Sequence, residues 1–195
     1  MGKPVVTVSR QHGSGGEQVA ALVAERLGVP LLDQEIRQRA AERAGVGERT
    51  MLDAERPVGF VTRMLERMGS AGFMLDNGGA VAASQFPVPS LESYRETLGQ
   101  VVREAAAGGA VIVGSAAHLT LRDYPGVVRV LVQAPIEARI VRLVEEEGLS
   151  PAEARRQAET EDRERVRFYQ ESYRVNWYDS RLYDCIVDTH RLGVD

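Results

Sequence analysis

The 195-residue chain predicts an α/β fold, a five-stranded parallel sheet flanked by helices. Three observations carry this expectation. Five short apolar runs alternate with stretches of helical periodicity. The first run opens into a glycine-rich turn and then a helix. No repeat, low-complexity tract or linker divides the sequence, so residues 1–195 read as one domain.

The elements follow in order. Residues 4–8, Pro-Val-Val-Thr-Val, form a buried strand, with Pro4 at the first position, where a missing donor costs least. From Glu17 the spacing of Val19, Leu22, Val23 and Leu27 marks a helix that Gly28 stops. Val29, Leu31 and Leu32 give a second short strand ending at Asp33, and an Arg-rich helix follows to about Ala44. Residues 46–90 read as an insertion. It has a helix over 58–68 and a glycine- and proline-bearing stretch over 69–89, of a length usual for functional or mobile loops. A helix begins at Ser90 and stops at Gly108-Gly109. Ala110 to Val113 and Val127 to Val132 are the third and fourth strands, and Ile136 to Glu147 is a helix. Ser150, Pro151 and Glu153 make a capping box that starts a helix running to Tyr173. Asp184 to Val187 closes the sheet.

Composition narrows the function. A net charge of −4 argues against a protein that coats nucleic acid. The single Cys185 excludes an internal disulfide and a cysteine-rich zinc site, and its place in a short strand predicts a buried thiol. His118 and His190 share no ligand spacing with it, so no metal site is expected. There is neither a membrane-length apolar run nor a signal-like start, and a soluble cytoplasmic protein is the expectation. Lys3 is the lone lysine, and every other basic residue is arginine.

Residues 9–16, Ser-Arg-Gln-His-Gly-Ser-Gly-Gly, form a strand–turn–helix junction. Unpaired amides and the helix dipole at such a junction favour an anion. Gly13, Gly15 and Gly16 let the backbone wrap a phosphate closely, with Ser14 as a hydroxyl ligand; a tight turn without ligand is the alternative. The loop departs from an ordinary P-loop, since Gly16 stands where lysine belongs and Glu17-Gln18 where the magnesium-binding hydroxyl belongs. Any cation over the phosphates is therefore an arginine or a metal, and Arg10 is the nearest. Gly-x-Gly-x-x-Gly spacing fails as well, because Gln18 holds the third site.

The loop with its helix, and Leu-Gly-Val-Pro-Leu-Leu-Asp at 27–33, resemble the cytidylate kinase-like family of nucleoside monophosphate kinases. Further likenesses are Val-Ile-Val-Gly at 111–114, Val-Leu-Val-Gln-Ala-Pro with Arg139, and Asp162-x-x-Arg165 before Phe168-Tyr169. Tyr183 to Thr189 and Leu192-Gly193 complete the ordered set. The resemblance implies a P-loop kinase-like fold with a helical acceptor-binding insertion at about 46–90 and a helical lid at about 150–178. It implies transfer of the ATP γ-phosphoryl group to CMP or dCMP, with Mg²⁺ accompanying ATP. The implied partners are ATP and a nucleoside monophosphate, with no nucleic acid polymer and no membrane.

Catalysis of this kind rests on positioning and on neutralising charge, so arginines are the side chains to locate. Arg10, Gly13, Ser14, Gly15 and Gly16 are the expected ATP-phosphate contacts. Asp33 at a strand's carboxyl end, Arg39 on the next helix and Asp188 at the end of the last strand are the expected acceptor contacts. For Asp33 and Asp188, a helix N-cap is the other reading. In the lid, Arg156, Arg163, Arg167 and Arg174 fall within a stripe of about 40° on a continuous helix. The resemblance selects Arg165, on the opposite face. Arg163, Arg165 and Arg167 are therefore the expected catalytic set, although Glu159–Arg163 and Glu161–Arg165 spacing also fits a solvated, salt-paired helix. Trp177 and Tyr178 either pack beneath the lid or stack on a base. Two departures bear on activity: Glu17 follows the loop glycines, and Gly114-Ser115 stands where relatives read Gly-Arg. A nucleotide-binding module without transfer, or a kinase for another small phosphate acceptor, are the alternatives these departures keep open.

Overall fold

The computed structural model describes residues 2–44 and 91–194. Its elements are β1 (Val5–Arg10), α1 (Gly16–Leu27), β2 (Leu31–Leu32), α2 (Gln34–Ala44) and α3 (Leu91–Ala107). Then come β3 (Ala110–Val113), α4 (Ala117–Thr120), β4 (Val127–Gln133), α5 (Ile136–Glu147), α6 (Pro151–Tyr173), β5 (Cys185–Asp188) and α7 (Thr189–Leu192). The helix expected over 58–68 and the loop expected over 69–89 lie outside the described residues.

The sheet is five-stranded and parallel, in the order β2-β3-β1-β4-β5. Strand β1 is central because its Val-Val-Thr-Val run is apolar enough to be covered on both faces. It pairs with β3 from Val5↔Ala110 and with β4 from Val5↔Val127, so the carboxyl ends of all three strands open on one edge. Strands β3 and β4 lie on opposite sides of β1, and crevices of that kind are where α/β sheets place ligands. On one face, Ile36 of α2 and Leu98 and Val102 of α3 cover Val5 and Ile112. On the other, Ala20 and Ala24 of α1 cover Val6, Val8 and Val113.

One expectation is corrected here. Cys185 is exposed, because β5 is the outermost strand and its first two residues face solvent.

Helix α6 starts at the expected capping box: Glu153 N–H donates to Ser150 Oγ at 3.3 Å, and Ser150 N–H donates to Glu153 Oε2 at 3.0 Å. Its buried row is Ala154, Ala158, Asp162, Tyr169 and Ser172. The alanines pack on Ile140 and Leu143 of α5, and Tyr169 joins Trp177 and Tyr183 in an aromatic cluster.

His118 lies in that cluster, stacked on Tyr183 with centroids 5.0 Å apart and with Nδ1 3.1 Å from Ser9 Oγ. Burial, helped by the Arg129 charge, pushes its pKa from 6.5 down to about 3, so the folded ring is neutral. Between these values the unfolded chain binds a proton that the folded chain does not, and stability falls as the pH drops through that window. The slope from this group is at most about 1.4 kcal/mol per pH unit. Urea midpoints at pH 7.5 and 5.0 should therefore diverge less in His118→Gln than in the parent; equal divergence refutes the assignment.

Candidate active site

The glycine loop leaves the carboxyl end of β1 and enters α1 with Gly13 at φ 73° and Gly15 at φ 76°. Left-handed backbone at these two residues reverses the chain within one turn, and it is a conformation that glycine adopts without strain. Ser14 N–H donates to Gln11 O at 3.2 Å and Gln11 N–H to Val132 O at 3.0 Å. Among the described residues, the amides of Gly13, Gly15 and Gly16 have no hydrogen-bond acceptor at the head of α1, where a helix favours an anion, and Gly15 and Gly16 are buried. The Ser14 hydroxyl turns inward to Val132 O at 3.3 Å, and Ser14 O accepts from Thr189 Oγ1 at 2.7 Å. Sequence reasoning expected that hydroxyl as a ligand; in the fold it fastens the loop to β4.

Arginines hold the loop's carbonyls. Arg139 Nη1 donates to His12 O at 3.0 Å, Arg142 Nη1 to Gly13 O at 2.9 Å, and Arg165 Nη1 to Arg10 O at 2.8 Å. Arg139 is itself paired at 2.7 Å with Asp162, and both side chains are buried. Asp162 Oδ1 also accepts from His12 N–H at 3.4 Å. A buried ion pair thus grips both the carbonyl and the amide of one loop residue.

Beside the loop, at the carboxyl ends of β1 and β3, opens a cleft of about 290 Å³. Arg10, Arg37 and Arg165 enter it, together with Ser115, Glu161 and Phe168. Arg10 Nε donates to Glu17 Oε1 at 2.7 Å, and its Nη2 lies 3.6 Å from Asp33 Oδ2. Arg37 Nη1 donates to the other oxygen of Asp33 at 3.0 Å. Desolvation works to raise the Glu17 pKa, yet the Arg10 charge and hydrogen bond outweigh it and hold the carboxyl below its usual value. Arg165 lies 5.4 Å over the ring of the fully buried Trp177. Burial, with the like charge of Arg10, pushes the Arg165 guanidinium below its ordinary range. Both guanidinium groups line the cleft, which favours an anion there.

Comparison with known proteins bears on the whole chain. The family model described as "Cytidylate kinase-like family" matches residues 5–191. The chain belongs to that family. A cytidylate kinase from Methanopyrus kandleri is 31% identical over 97 residues, covering 50% of this chain and 50% of that protein. A cytidylate kinase from Halobacterium salinarum is 32% identical over 68 residues, 35% of each. The chain thus spans half or less of the curated relatives it matches. Among solved structures, an uncharacterized protein from Eubacterium ventriosum superposes over 95% of this chain and 87% of its own length, with TM-score 0.62 at 20% identity. That likeness shows the fold alone.

Within this cytidylate kinase-like fold the arginines expected from sequence separate. Arg165 faces the cleft, whereas Arg163 and Arg167 are exposed on the far side of α6. Arg163 pairs with Glu159 at 3.7 Å and donates to Thr160 Oγ1 at 3.1 Å, as a solvated helix face does. The stripe of Arg156, Arg163 and Arg167 is this outer face, because the opposite side of α6 is committed to α5 and the aromatic cluster. Arg165 reaches Asp162 at 3.8 Å, in place of the expected Glu161. On α2, Ile36 and Ala40 face the core, which turns Arg37 into the cleft and leaves Arg39 exposed. Asp33 does not line the cleft itself but pairs with Arg10 and Arg37, which do. Asp188 instead caps α7, accepting from His190 N–H at 3.0 Å.

Sequence reasoning noted Ser115 only as the replacement of an arginine, not as a residue of the cleft wall. Gly114, Ser115 and Ala116 adopt φ of 68°, 52° and 48° in succession, a strained turn for the two residues that carry Cβ. The Ser115 Oγ is buried at the cleft wall, with no hydrogen-bond partner among the described residues. Nothing in the local sequence signals left-handed backbone at serine and alanine. Among the described residues, no helix is long and apolar enough to cross a membrane.

Proposed function

We propose that the protein is a nucleoside monophosphate kinase that transfers the γ-phosphoryl group of ATP to CMP or dCMP. The observation that carries this reading is the convergence of Arg10, Arg37 and Arg165 on one cleft beside a glycine loop with unpaired amides, in a member of the cytidylate kinase-like family. An acceptor phosphate oxygen attacks the γ-phosphorus, the bond to the bridging oxygen breaks, and ADP departs with that oxygen. The attacking oxygen is already anionic, so no general base is needed. That suits a cleft lined by the three arginines. The protein's task is to align the two nucleotides and spread the developing charge over guanidinium groups.

The donor set fits Mg²⁺ delivered with the nucleotide. Glu17 and Asp33 offer hard carboxylate oxygens on either side of Arg10, and this ion takes one or two carboxylates plus phosphates and water. Among the described residues, no group of three or more His, Cys, Asp or Glu is placed to hold a metal ion. Bound there, Mg²⁺ would neutralise phosphate charge.

A second reading is favoured by one contact. Glu17 neutralises Arg10 in a loop without lysine, as in a nucleotide-binding module that has lost transfer. ADP release with Mg²⁺, ATP and each of CMP, dCMP, UMP and AMP separates the two. Turnover with CMP and dCMP is expected. ATP binding without ADP release on any acceptor identifies the module, and turnover on UMP or AMP alone overturns the cytidine assignment.

A further inference from the structure

We infer that Arg10 and Gly16 have exchanged the places that a glycine and a lysine hold in an ordinary P-loop, so that Arg10 supplies the donor-phosphate cation from the end of β1. The inference rests on the donor-site reading above. The ordinary pattern is glycine, four residues, glycine, lysine, then serine or threonine. Aligned on Gly15, position 10 falls on the first glycine and position 16 on the lysine. This chain keeps one long cationic side chain and one glycine at the pair, in reversed order.

The geometry gives the reason. A Cβ placed on Gly16 would collide with the Arg10 Cβ and lie 2.8 Å from its Cγ. Gly16 does not have left-handed backbone, so space is what requires glycine there. The end of β1 passes so near the first turn of α1 that only one of the two residues can carry a side chain. Lysine at 16 needs glycine at 10, and arginine at 10 needs glycine at 16.

The Arg10 guanidinium then has a defined place. Its Nη1 lies 3.1 Å from where a Cβ on Gly114 would stand, and the left-handed backbone of Gly114, φ 68°, favours glycine at the turn after β3 that it approaches. It lines the cleft with Arg165 and is held by Glu17 at 2.7 Å and Asp33 at 3.6 Å. Glu17, standing where the P-loop hydroxyl would be, is the counter-ion that nucleotide phosphates displace from Arg10.

Calorimetric titration with MgATP, paired with thermal melting, tests the exchange in four proteins: parent, Arg10→Ala, Gly16→Lys, and Arg10→Gly with Gly16→Lys. Arg10→Ala should weaken binding at least tenfold without lowering the melting temperature much. Gly16→Lys alone should lose both affinity and stability, because the Arg10 Cβ remains in its way. The double variant should recover the stability and bind within about threefold of the parent. Parental affinity in Arg10→Ala, parental behaviour in Gly16→Lys, or a double variant that is no better than Gly16→Lys or fails to fold each overturns the exchange. If Arg10→Ala binds normally while the parent turns over CMP, the exchange fails and the kinase reading stands. If the parent binds MgATP without ADP release and the variants follow the expected order, the exchange stands and the kinase reading fails. A parent that binds no MgATP overturns both.

Discussion

Arg165→Ala is expected to lower kcat for MgATP and CMP by about 10²–10³-fold, the range seen when one preorganised donor to developing charge is removed. Arg165 is the α6 arginine that both enters the cleft and fixes the loop, through Arg10 O at 2.8 Å. Arg165→Lys should recover only part of the loss, since an ammonium group lacks the planar fork. Stability should fall by about 1–3 kcal/mol, from the lost cation–π contact with Trp177 and the lost hydrogen bond to Arg10 O. Arg163→Ala and Arg167→Ala change solvent-facing residues and should stay within twofold of the parent. Equal losses at all three positions would show that the outer stripe, and not the cleft, governs turnover.

Breaking the Arg139–Asp162 pair should have the largest effect on stability. Both side chains are buried and 2.7 Å apart, so Asp162→Ala leaves an arginine charge without its carboxylate. The expected cost is about 3–5 kcal/mol, or a fall of roughly 10 °C in Tm for a domain of this size. Replacing both residues, Arg139→Met with Asp162→Leu, should recover much of that stability. It should not recover the donor KM, because nothing then grips the amide and carbonyl of His12. A double variant with parental KM would show the pair to be structural only.

The sheet was legible because its strands are continuous β-branched runs, Val5 to Val8 above all, and these periodicities survive burial on both faces. Helix α6 was legible to the residue because Ser150, Pro151 and Glu153 are chemically committed to starting it. Its inward face was not. The buried row passes through Asp162 and small alanines, which read as polar or neutral, while the arginines of the outer face, Arg156, Arg163 and Arg167, gave the cleaner period. A buried charge hides a core stripe from any count of apolar residues. Arg37 was obscured in a similar way by its neighbour Arg39. Its signal was the i,i+4 partner Asp33, together with Ile36 and Ala40 as the core side of α2. Cys185 was misplaced because the order of strands, which puts β5 outermost, is set by tertiary packing and not by local sequence. The same holds for Ser115 and Ala116, whose backbone runs against their own preference.

Trp177 is the lone tryptophan of the chain, and the Arg165 guanidinium rests 5.4 Å from its ring. The protein therefore carries an optical reporter wired to its cleft. Drawing Arg165 toward an incoming phosphate would alter the field across the indole, shifting its emission without any label and making occupancy readable in a stopped-flow cuvette.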